Sequence, residues 1–230
     1  MKKLAENVMM LELESSVGIY YPVLVWDDDH LGIIDLGWPD KSEDLFGAIE
    51  AAGFKPGDIT DAFITHQDLD HIGNVNELLD RAPNLRLWLH EAEAPYLDGR
   101  TTPVRVAEKM KVSGSLTAEE KDEVRRMEAL YQARILSNVN TVNEDTVLSM
   151  CGGIRFIFTP GHTPGSMVVY LQKSGIAVCG DSLNIHEGQI AGPNPVYTLD
   201  MELGMQSVDK VKAHGMDALV AYHGGYLKVG

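Results

Sequence analysis

One ten-residue stretch, THQDLDHIGN at 65–74, concentrates side chains that bind metals. It places two imidazoles and two carboxylates within six positions, at His66, Asp68, Asp70 and His71. The apolar run AFI directly precedes the stretch, so a buried strand is expected to end where the polar residues begin. A solvated turn requires neither histidines nor such a density of titratable groups. The stretch therefore predicts half of a metal site.

Three further apolar runs end in the same way, and each is followed by one more candidate ligand. His162 stands in TPGHTPGS after FIF, Asp181 in GDS after AVC, and His223 in HGG after LVAY. Rigid strands commonly present functional side chains from the loops that follow them. The glycines in these loops let the backbone crowd close to a cation, because they carry no Cβ. These loops supply the other half of the site.

The residue types indicate which metals would bind. Imidazole and carboxylate ligands suit zinc and iron, and a catalytic site keeps water among its ligands. The candidate ligands are His66, Asp68, Asp70, His71, His162, Asp181 and His223. Seven ligands exceed the four that a tetrahedral ion takes. They fit two divalent ions that share a carboxylate and a hydroxide.

The elements that must position these residues follow from the apolar pattern. Strands are predicted over Val8–Leu13, Val23–Trp26, Gly32–Leu36, Asp61–Thr65, Leu85–Leu89, Ile154–Phe158, Met167–Leu171, Ile176–Cys179 and Ala218–Tyr222. Helices are predicted over Ser42–Ala52, over Asn74–Asp80, and from Asp200 to His214. The stretch around 103–137 is helical in pattern, with a capping box at Thr117 and Glu120. We predict one layered α/β (α+β) domain over 1–230, a sheet sandwich covered by helices and carrying a helical insertion.

Five motifs in a fixed order resemble the metallo-β-lactamase superfamily: IDLG at 34–37, then THQDLDH, PGHTPGS, GDSL and YHGG. That superfamily has His-x-His-x-Asp-His followed by a histidine, an aspartate and a histidine at later strand ends. The resemblance spans most of the chain but not the insertion. It implies a four-layer αββα sandwich with the metals at one edge of the two sheets. By position, it implies a first metal held by His66, His162 and Asp181, and a second held by Asp70, His71, Asp181 and His223.

Asp68 departs from the superfamily pattern, which has its second histidine at this position. The position still makes Asp68 a ligand candidate for the first metal, now through an anionic oxygen. A carboxylate is a harder ligand than imidazole and adds a negative charge, which weakens the cluster as a Lewis acid and shifts its preference toward iron or manganese. Zinc remains the favoured metal, with iron and manganese as alternatives.

The resemblance implies a metal-dependent hydrolase in which metal-activated hydroxide attacks an ester, lactone, thioester or phosphoester of a small molecule. Asp70, at the bridging edge, is the candidate catalytic residue that orients the nucleophile or moves its proton. His186 and Tyr197 are candidate substrate-binding residues, because they follow the later motifs in loops that could face the metals. The insertion is expected to form a wall of the pocket.

Two other functions compete with the hydrolase. The carboxylate at Asp68 is compatible with a di-iron oxygen-reducing or oxygen-sensing protein of the same fold. The string GDSL would make Ser182 the nucleophile of a serine esterase. Such esterases carry the string near the N-terminus and an Asp-x-x-His near the C-terminus, whereas here it lies late and Val220 stands three positions before His223. No Gly-x-Ser-x-Gly elbow is present either.

The composition of the chain limits the classes of partner that it can bind. A formal charge of −15 over 230 residues opposes binding to nucleic acid or an anionic membrane, both of which need basic patches. The first residues lack the apolar core of a signal peptide, and no apolar run reaches the length of a membrane span. Cys151 and Cys179 fit free thiols in a reducing compartment. We expect a cytoplasmic protein with a small-molecule substrate, and this interpretation leaves a homodimer open.

Overall fold

Two β-sheets form the centre of the structure, a computed structural model that describes residues 1–111 and 116–229. The first sheet is ordered β1 (Lys2–Ala5), β2 (Val8–Met10), β5 (Val23–Trp26), β6 (Leu31–Ile34), β7 (Asp61–Ile64), β8 (Arg86–His90) and β9 (Val139–Val142). The second is ordered β10 (Val147–Leu148), β11 (Ile154–Phe158), β12 (Met167–Leu171), β13 (Ile176–Val178), β16 (Ala218–Ala221) and β17 (Gly225–Lys228). Two hairpins complete the strands: β3 (Leu13–Ser15) with β4 (Gly18–Tyr20), and β14 (Asn184–His186) with β15 (Gln189–Ala191).

Seven α-helices of the described residues connect the strands along the chain, and several of them cover the outer faces of the two sheets. They are α1 (Ser42–Ala51), α2 (Leu69–Ile72), α3 (Val75–Arg81), α4 (Ala94–Leu97), α5 (Val104–Lys111), α6 (Ala118–Gln132) and α7 (Met201–His214). Strands β6 to β9 run parallel to one another, and so do β13 and β16, whereas the remaining pairs within the two sheets are antiparallel. The parallel pairs matter for function, because parallel strands end at the same sheet edge.

Three apolar layers hold the sheets and helices together. Residues that alternate along a strand point to opposite faces of its sheet. Ile33 accordingly packs in a cluster with residues of α1 and α3, whereas Ile34 packs between the two sheets. The rings of Phe63 and Phe156 meet across the sheets with centroids 6.0 Å apart. A third cluster joins the second sheet to α7. The layers therefore confirm the predicted four-layer αββα sandwich.

The predicted helical insertion contains α5 and α6. The capping box at the start of α6 is confirmed, because the Thr117 hydroxyl accepts from the Glu120 amide while the Glu120 carboxylate accepts from the Thr117 amide. The prediction for positions 112–115 falls outside the described residues. Val124 and Met127 of α6 pack against the core beside the first sheet, but Ile135, which the helical pattern places on the same face, follows the end of the helix and is exposed.

The apolar run Val8–Leu13 is where the strand pattern misleads. The pattern predicts one strand, but β2 ends at Met10 and Leu13 begins a separate hairpin strand. The chain leaves the first sheet at Leu11, whose amide donates to the carbonyl of Pro22. Both halves of the run are buried, so apolarity alone could not reveal the break. Across the described residues, none of the helices has the length and apolar character needed to cross a membrane.

Candidate metal centre

The segments that follow four strands bring the seven candidate ligands together. Four candidates follow β7 of the first sheet, and one each follows β11, β13 and β16 of the second sheet. They form three overlapping groups in which the ligand atoms lie within 4.8 Å of one another: His66, Asp68 and His162; Asp70, His71 and His223; and His66, His71 and Asp181. The sheet edges thus supply a compact set of nitrogen and oxygen donors.

We call His66, Asp68 and His162 the first subsite. Asp68 Oδ2 lies 3.4 Å from His66 Nε2 and 3.2 Å from His162 Nε2. Two ligand atoms that each lie about 2.1 Å from one tetrahedral ion are separated by roughly 3.4 Å. The spacing of these three donors therefore matches what a shared ion requires, and all three side chains are buried.

We call Asp70, His71 and His223 the second subsite. Asp70 Oδ2 lies 3.0 Å from His223 Nε2 and 3.7 Å from His71 Nε2. Asp181 reaches toward both subsites with different oxygens. Its Oδ1 lies 3.6 Å from the Nε2 atoms of His71 and His223, whereas its Oδ2 lies 3.7 Å from Nε2 of His162. Asp181 therefore stands where a carboxylate shared by two ions would stand.

Several buried donor atoms in these subsites lack any other partner. Among the residues that the structure describes, His66 Nε2, His71 Nε2 and Asp68 Oδ1 are buried without a hydrogen bond. The opposite ring nitrogens are engaged: His71 Nδ1 lies 2.8 Å from Asp35 Oδ2, and His66 Nδ1 lies 3.1 Å from Thr65 Oγ1. A histidine held by one nitrogen presents the other to a metal. A buried nitrogen that has neither a hydrogen-bond partner nor a metal destabilises the folded protein. The residues present therefore fit a bound metal.

The protonation states favour cation binding. Burial, reinforced by the neighbouring His71, lowers the pKa of His66, which leaves its imidazole neutral and able to coordinate. Burial also opposes ionisation of Asp68 and Asp181, but the imidazoles around them hold the pKa of each carboxyl well below its usual range. His71 is the exception, because three neighbouring carboxylates, that of Asp35 foremost, overcome its burial and raise its pKa. The cluster is rich in negative charge.

Asp35 explains why IDLG belongs to the site. It is fully buried and adopts a positive φ of 61°, a conformation that costs energy for a residue with a side chain. Its carboxylate accepts from the amide and hydroxyl of Thr65, both at 2.8 Å, and contacts His71 as described. Asp35 therefore joins the end of β6 to the ligand loop after β7 and fixes the orientation of a candidate ligand.

One glycine permits the two sheets to meet at the site. Gly180 precedes Asp181 and has a positive φ of 49°. A Cβ at Gly180 would lie 2.4 Å from the hydroxyl oxygen of Thr65, which is too close for any side chain. Because Thr65 is held by Asp35, the loop of the second sheet can approach the first only with glycine at this position.

Glu93 is a buried residue that the sequence did not indicate. Its Oε2 accepts from the amide and side-chain nitrogens of Gln67 at 2.9 and 3.0 Å. Its Oε1 accepts from the Thr163 hydroxyl at 2.8 Å and the Gly165 amide at 2.6 Å. Burial raises the pKa of the Glu93 carboxyl, against the effect of these donors. One carboxylate thus ties the loop of His66 to the loop of His162.

Arg105 is the second residue that sequence analysis missed. It lies in α5 of the insertion, and its guanidinium contacts Asp68 and His162 of the first subsite. The insertion is expected to wall the pocket, and Arg105 shows that it also reaches the candidate ligands. In the sequence Arg105 is indistinguishable from the surface cations of the same helix, because no local signal shows which helical face meets the site.

The remaining candidates lie apart from this cluster. His186 ends β14 with an exposed side chain, and Tyr197 is 57% exposed in the loop before α7. Within the described part of the chain, neither side chain makes the contacts that join the seven ligand candidates. Ser182 is buried, and its hydroxyl lies 2.8 Å from the Thr159 hydroxyl. That environment gives Ser182 a neighbouring hydroxyl rather than a histidine base.

The fold and the donors define a metal-binding αββα sandwich. The family model for the Metallo-beta-lactamase superfamily matches residues 17–223, which includes all seven candidate ligands. The chain therefore belongs to the metallo-β-lactamase superfamily, as the five motifs predicted.

Curated relatives and solved structures agree with this assignment. The probable metallo-hydrolase YflN of Bacillus subtilis (strain 168) is 23% identical over 90% of this chain and 80% of its own length. A hydroxyacylglutathione hydrolase of Synechococcus sp. (strain JA-2-3B'a(2-13)) is 24% identical, over 53% of this chain and 33% of its own length. The metallo-beta-lactamase family protein TTHA1429 from Thermus thermophilus superposes with a TM-score of 0.78 at 18% identity, over 98% of this chain and 76% of its own. TTHA1623, solved in a di-iron-bound form, superposes with a TM-score of 0.65 at 18% identity, over 96% and 93%.

Proposed function

We propose that the protein is a metal-dependent hydrolase whose two subsites hold two divalent metal ions. The observation that carries this proposal is Asp181, which directs one carboxylate oxygen toward each subsite. A shared carboxylate is the feature expected of paired ions in hydrolytic sites. When bound, such ions supply an acidified water as nucleophile and polarise the bond that is cleaved. Membership of the superfamily and the name of the metallo-hydrolase relative support the same reaction type.

The protein's own residues position this chemistry. Asp35 fixes His71 through Nδ1, and Thr65 contacts Nδ1 of His66, so both imidazoles present Nε2 to the site. Asp70 lies on the face of the second subsite, with its Oδ2 3.0 Å from His223. We assign Asp70 the role of orienting the attacking water and accepting its proton. Burial of the first-subsite ligands excludes bulk water and strengthens these electrostatic contacts.

The substrate class proposed is a small ester, lactone, thioester or phosphoester. The net charge of −15 favours a small molecule over nucleic acid. The hydroxyacylglutathione hydrolase supports a thioester, but this chain spans only a third of that enzyme. His186, at the exposed end of β14, and Tyr197, exposed in the loop before α7, remain our candidates for contacting the substrate.

Metal content is the first test of this function. Equilibrium dialysis against micromolar free zinc is expected to give about two zinc ions per chain, because both subsites then fill. A strong chelator is expected to remove both ions and to abolish the hydrolytic activity. Metal analysis of protein purified without added metal identifies the resident ion, for which we propose zinc. Protein that takes up no transition metal under these conditions contradicts the proposal.

A di-iron oxygen-reducing or oxygen-sensing protein is the second candidate function. The observation that favours it is the carboxylate of Asp68 within the first subsite, since an added oxygen ligand favours iron over zinc. A di-iron-bound protein also shares the fold. Oxygen consumption by the reduced iron form, combined with no hydrolysis across the ester, lactone, thioester and phosphoester panel, would favour this function over the hydrolase.

A further inference from the structure

The guanidinium of Arg105 contacts two of the three first-subsite donors. Its Nη2 and Nε atoms lie 2.6 and 2.9 Å from Asp68 Oδ2. The same Nη2 lies 3.0 Å from Nε2 of His162. Asp68 Oδ2 and His162 Nε2 are the atoms that would bind a shared ion in the first subsite. Arg105 therefore contacts two of the ligand atoms that a metal in the first subsite would need.

This position is built into the fold. Arg105 follows Val104 at the start of α5, and the Val104 amide donates to Gln67 Oε1 at 2.8 Å. Gln67 is itself held by Glu93, and Arg105 Nη1 donates to Glu108 Oε2 at 3.1 Å. The Arg105 and Asp68 side chains are only 14% and 11% exposed. The ion pair is thus anchored from both ends and shielded from water.

The two subsites differ in charge because of this arginine. A guanidinium stays protonated under all ordinary conditions, so its positive charge beside Asp68 is permanent. It neutralises the one anionic ligand that belongs to the first subsite alone, and it repels a divalent cation. The second subsite contains Asp70, whose carboxylate pairs only with histidines among the residues the structure describes. Metal must therefore compete with the fixed charge of Arg105 at the first subsite, whereas no Lys or Arg of the described residues contacts Asp70, His71 or His223 at the second.

We propose that Arg105 is a positioning residue that makes the two subsites unequal. The second subsite binds metal first, and the first subsite binds it only as the guanidinium withdraws from His162 and yields Asp68 Oδ2. Oδ1 of Asp68 has no hydrogen-bond partner among the described residues. It can therefore accept the guanidinium once Oδ2 is given up to the metal. This inference rests on the proposed metal-dependent function and extends it to the order in which the metals bind.

The test is a zinc-binding isotherm measured on the full chain in competition with a coloured chelator. Four variants are compared with the wild type. Arg105→Gln keeps a hydrogen-bonding group but removes the charge, Arg105→Lys keeps the charge, Arg100→Gln is a control, and Asp68→Ala removes a first-subsite ligand. Arg100 is in the same region of the chain, is 69% exposed, and pairs with Asp98. Asp68→Ala identifies the step that belongs to the first subsite.

We expect the wild type to bind zinc in two steps whose Kd values differ by at least about tenfold. Arg105→Gln should tighten the weaker step by roughly tenfold to a hundredfold, the range seen when contacts to metal ligands are changed, and leave the tighter step unaltered. Arg105→Lys and Arg100→Gln should resemble the wild type, and Asp68→Ala should lose the weaker step.

Two results would overturn the inference while the metal-dependent function stands. One is coincident binding steps in the wild type, which decides the matter even if Arg105→Gln does not fold. The other is an Arg105→Gln isotherm whose weaker step is unchanged or weaker still. A wild-type chain that binds no zinc at all contradicts the proposed function as well as the inference.

Discussion

Replacing Asp181 by alanine is expected to lower hydrolysis by at least roughly a thousandfold and to release metal from both subsites. Asp181 directs one oxygen toward His162 and the other toward His71 and His223, so its loss removes an anionic ligand from each subsite at once. The measurement is kcat/KM on the best substrate of the ester, lactone, thioester and phosphoester panel, with zinc content determined on the same sample. Loss of both quantities together is the expected signature.

Ser182 provides the matched control, because it is the next residue in the chain. Its hydroxyl pairs with the Thr159 hydroxyl and makes no hydrogen bond to a histidine of the described residues. Ser182→Ala is therefore expected to retain activity and metal, and the wild type should survive a serine-directed phosphonate. An inactive Ser182→Ala that keeps its zinc, beside an active Asp181→Ala, would identify a serine esterase and reject the metal mechanism.

The candidate ligands could be predicted from the sequence because their signals are local. Each follows an apolar run that forms a strand and sits beside or between polar and glycine residues, so its position at a sheet edge follows from a few neighbouring residues. The structure brings the seven candidates into three overlapping groups, one of which includes Asp68, where the superfamily pattern has histidine. Long buried strands such as Ile154–Phe158 and Met167–Leu171 matched their predicted bounds for the same reason.

Arg105 and Glu93 could not be predicted because their roles depend on long-range contacts. Arg105 meets Asp68 from 37 residues away, and Glu93 meets Gly165 from 72 residues away. Charged residues in helical or turn-like segments are usually solvated, and nothing in the neighbouring sequence marks Glu93 as buried or Arg105 as partly buried. Short edge strands were missed for a related reason: β9 and β10 are partly exposed and carry little apolar pattern.

Glu93→Ala is expected to cost about 3–5 kcal/mol of unfolding free energy, the largest stability effect we predict. Its carboxylate accepts from Gln67, Thr163 and Gly165, and all three residues are buried. Removal of the carboxylate leaves several buried donors without an acceptor, and each unsatisfied donor destabilises the folded protein by about 1–3 kcal/mol. For a chain of this size the melting temperature should fall by roughly 10 °C. The measurement is thermal or denaturant unfolding of metal-free protein, which separates folding from ligand binding.

Two variants show whether acceptor capacity is the cause. Glu91→Ala, two residues earlier at an exposed position, should change the unfolding free energy by less than about 0.5 kcal/mol. Glu93→Gln keeps the volume of the side chain but turns an NH2 group toward donors, so it should lose most of the stability that alanine loses. Because Glu93 holds the loops of both His66 and His162, each destabilised variant should also bind the weaker zinc ion less tightly. A Glu93→Gln protein as stable as the wild type would show that Glu93 fills space rather than satisfying the four donors, and would remove the link between this carboxylate and the geometry of the first subsite.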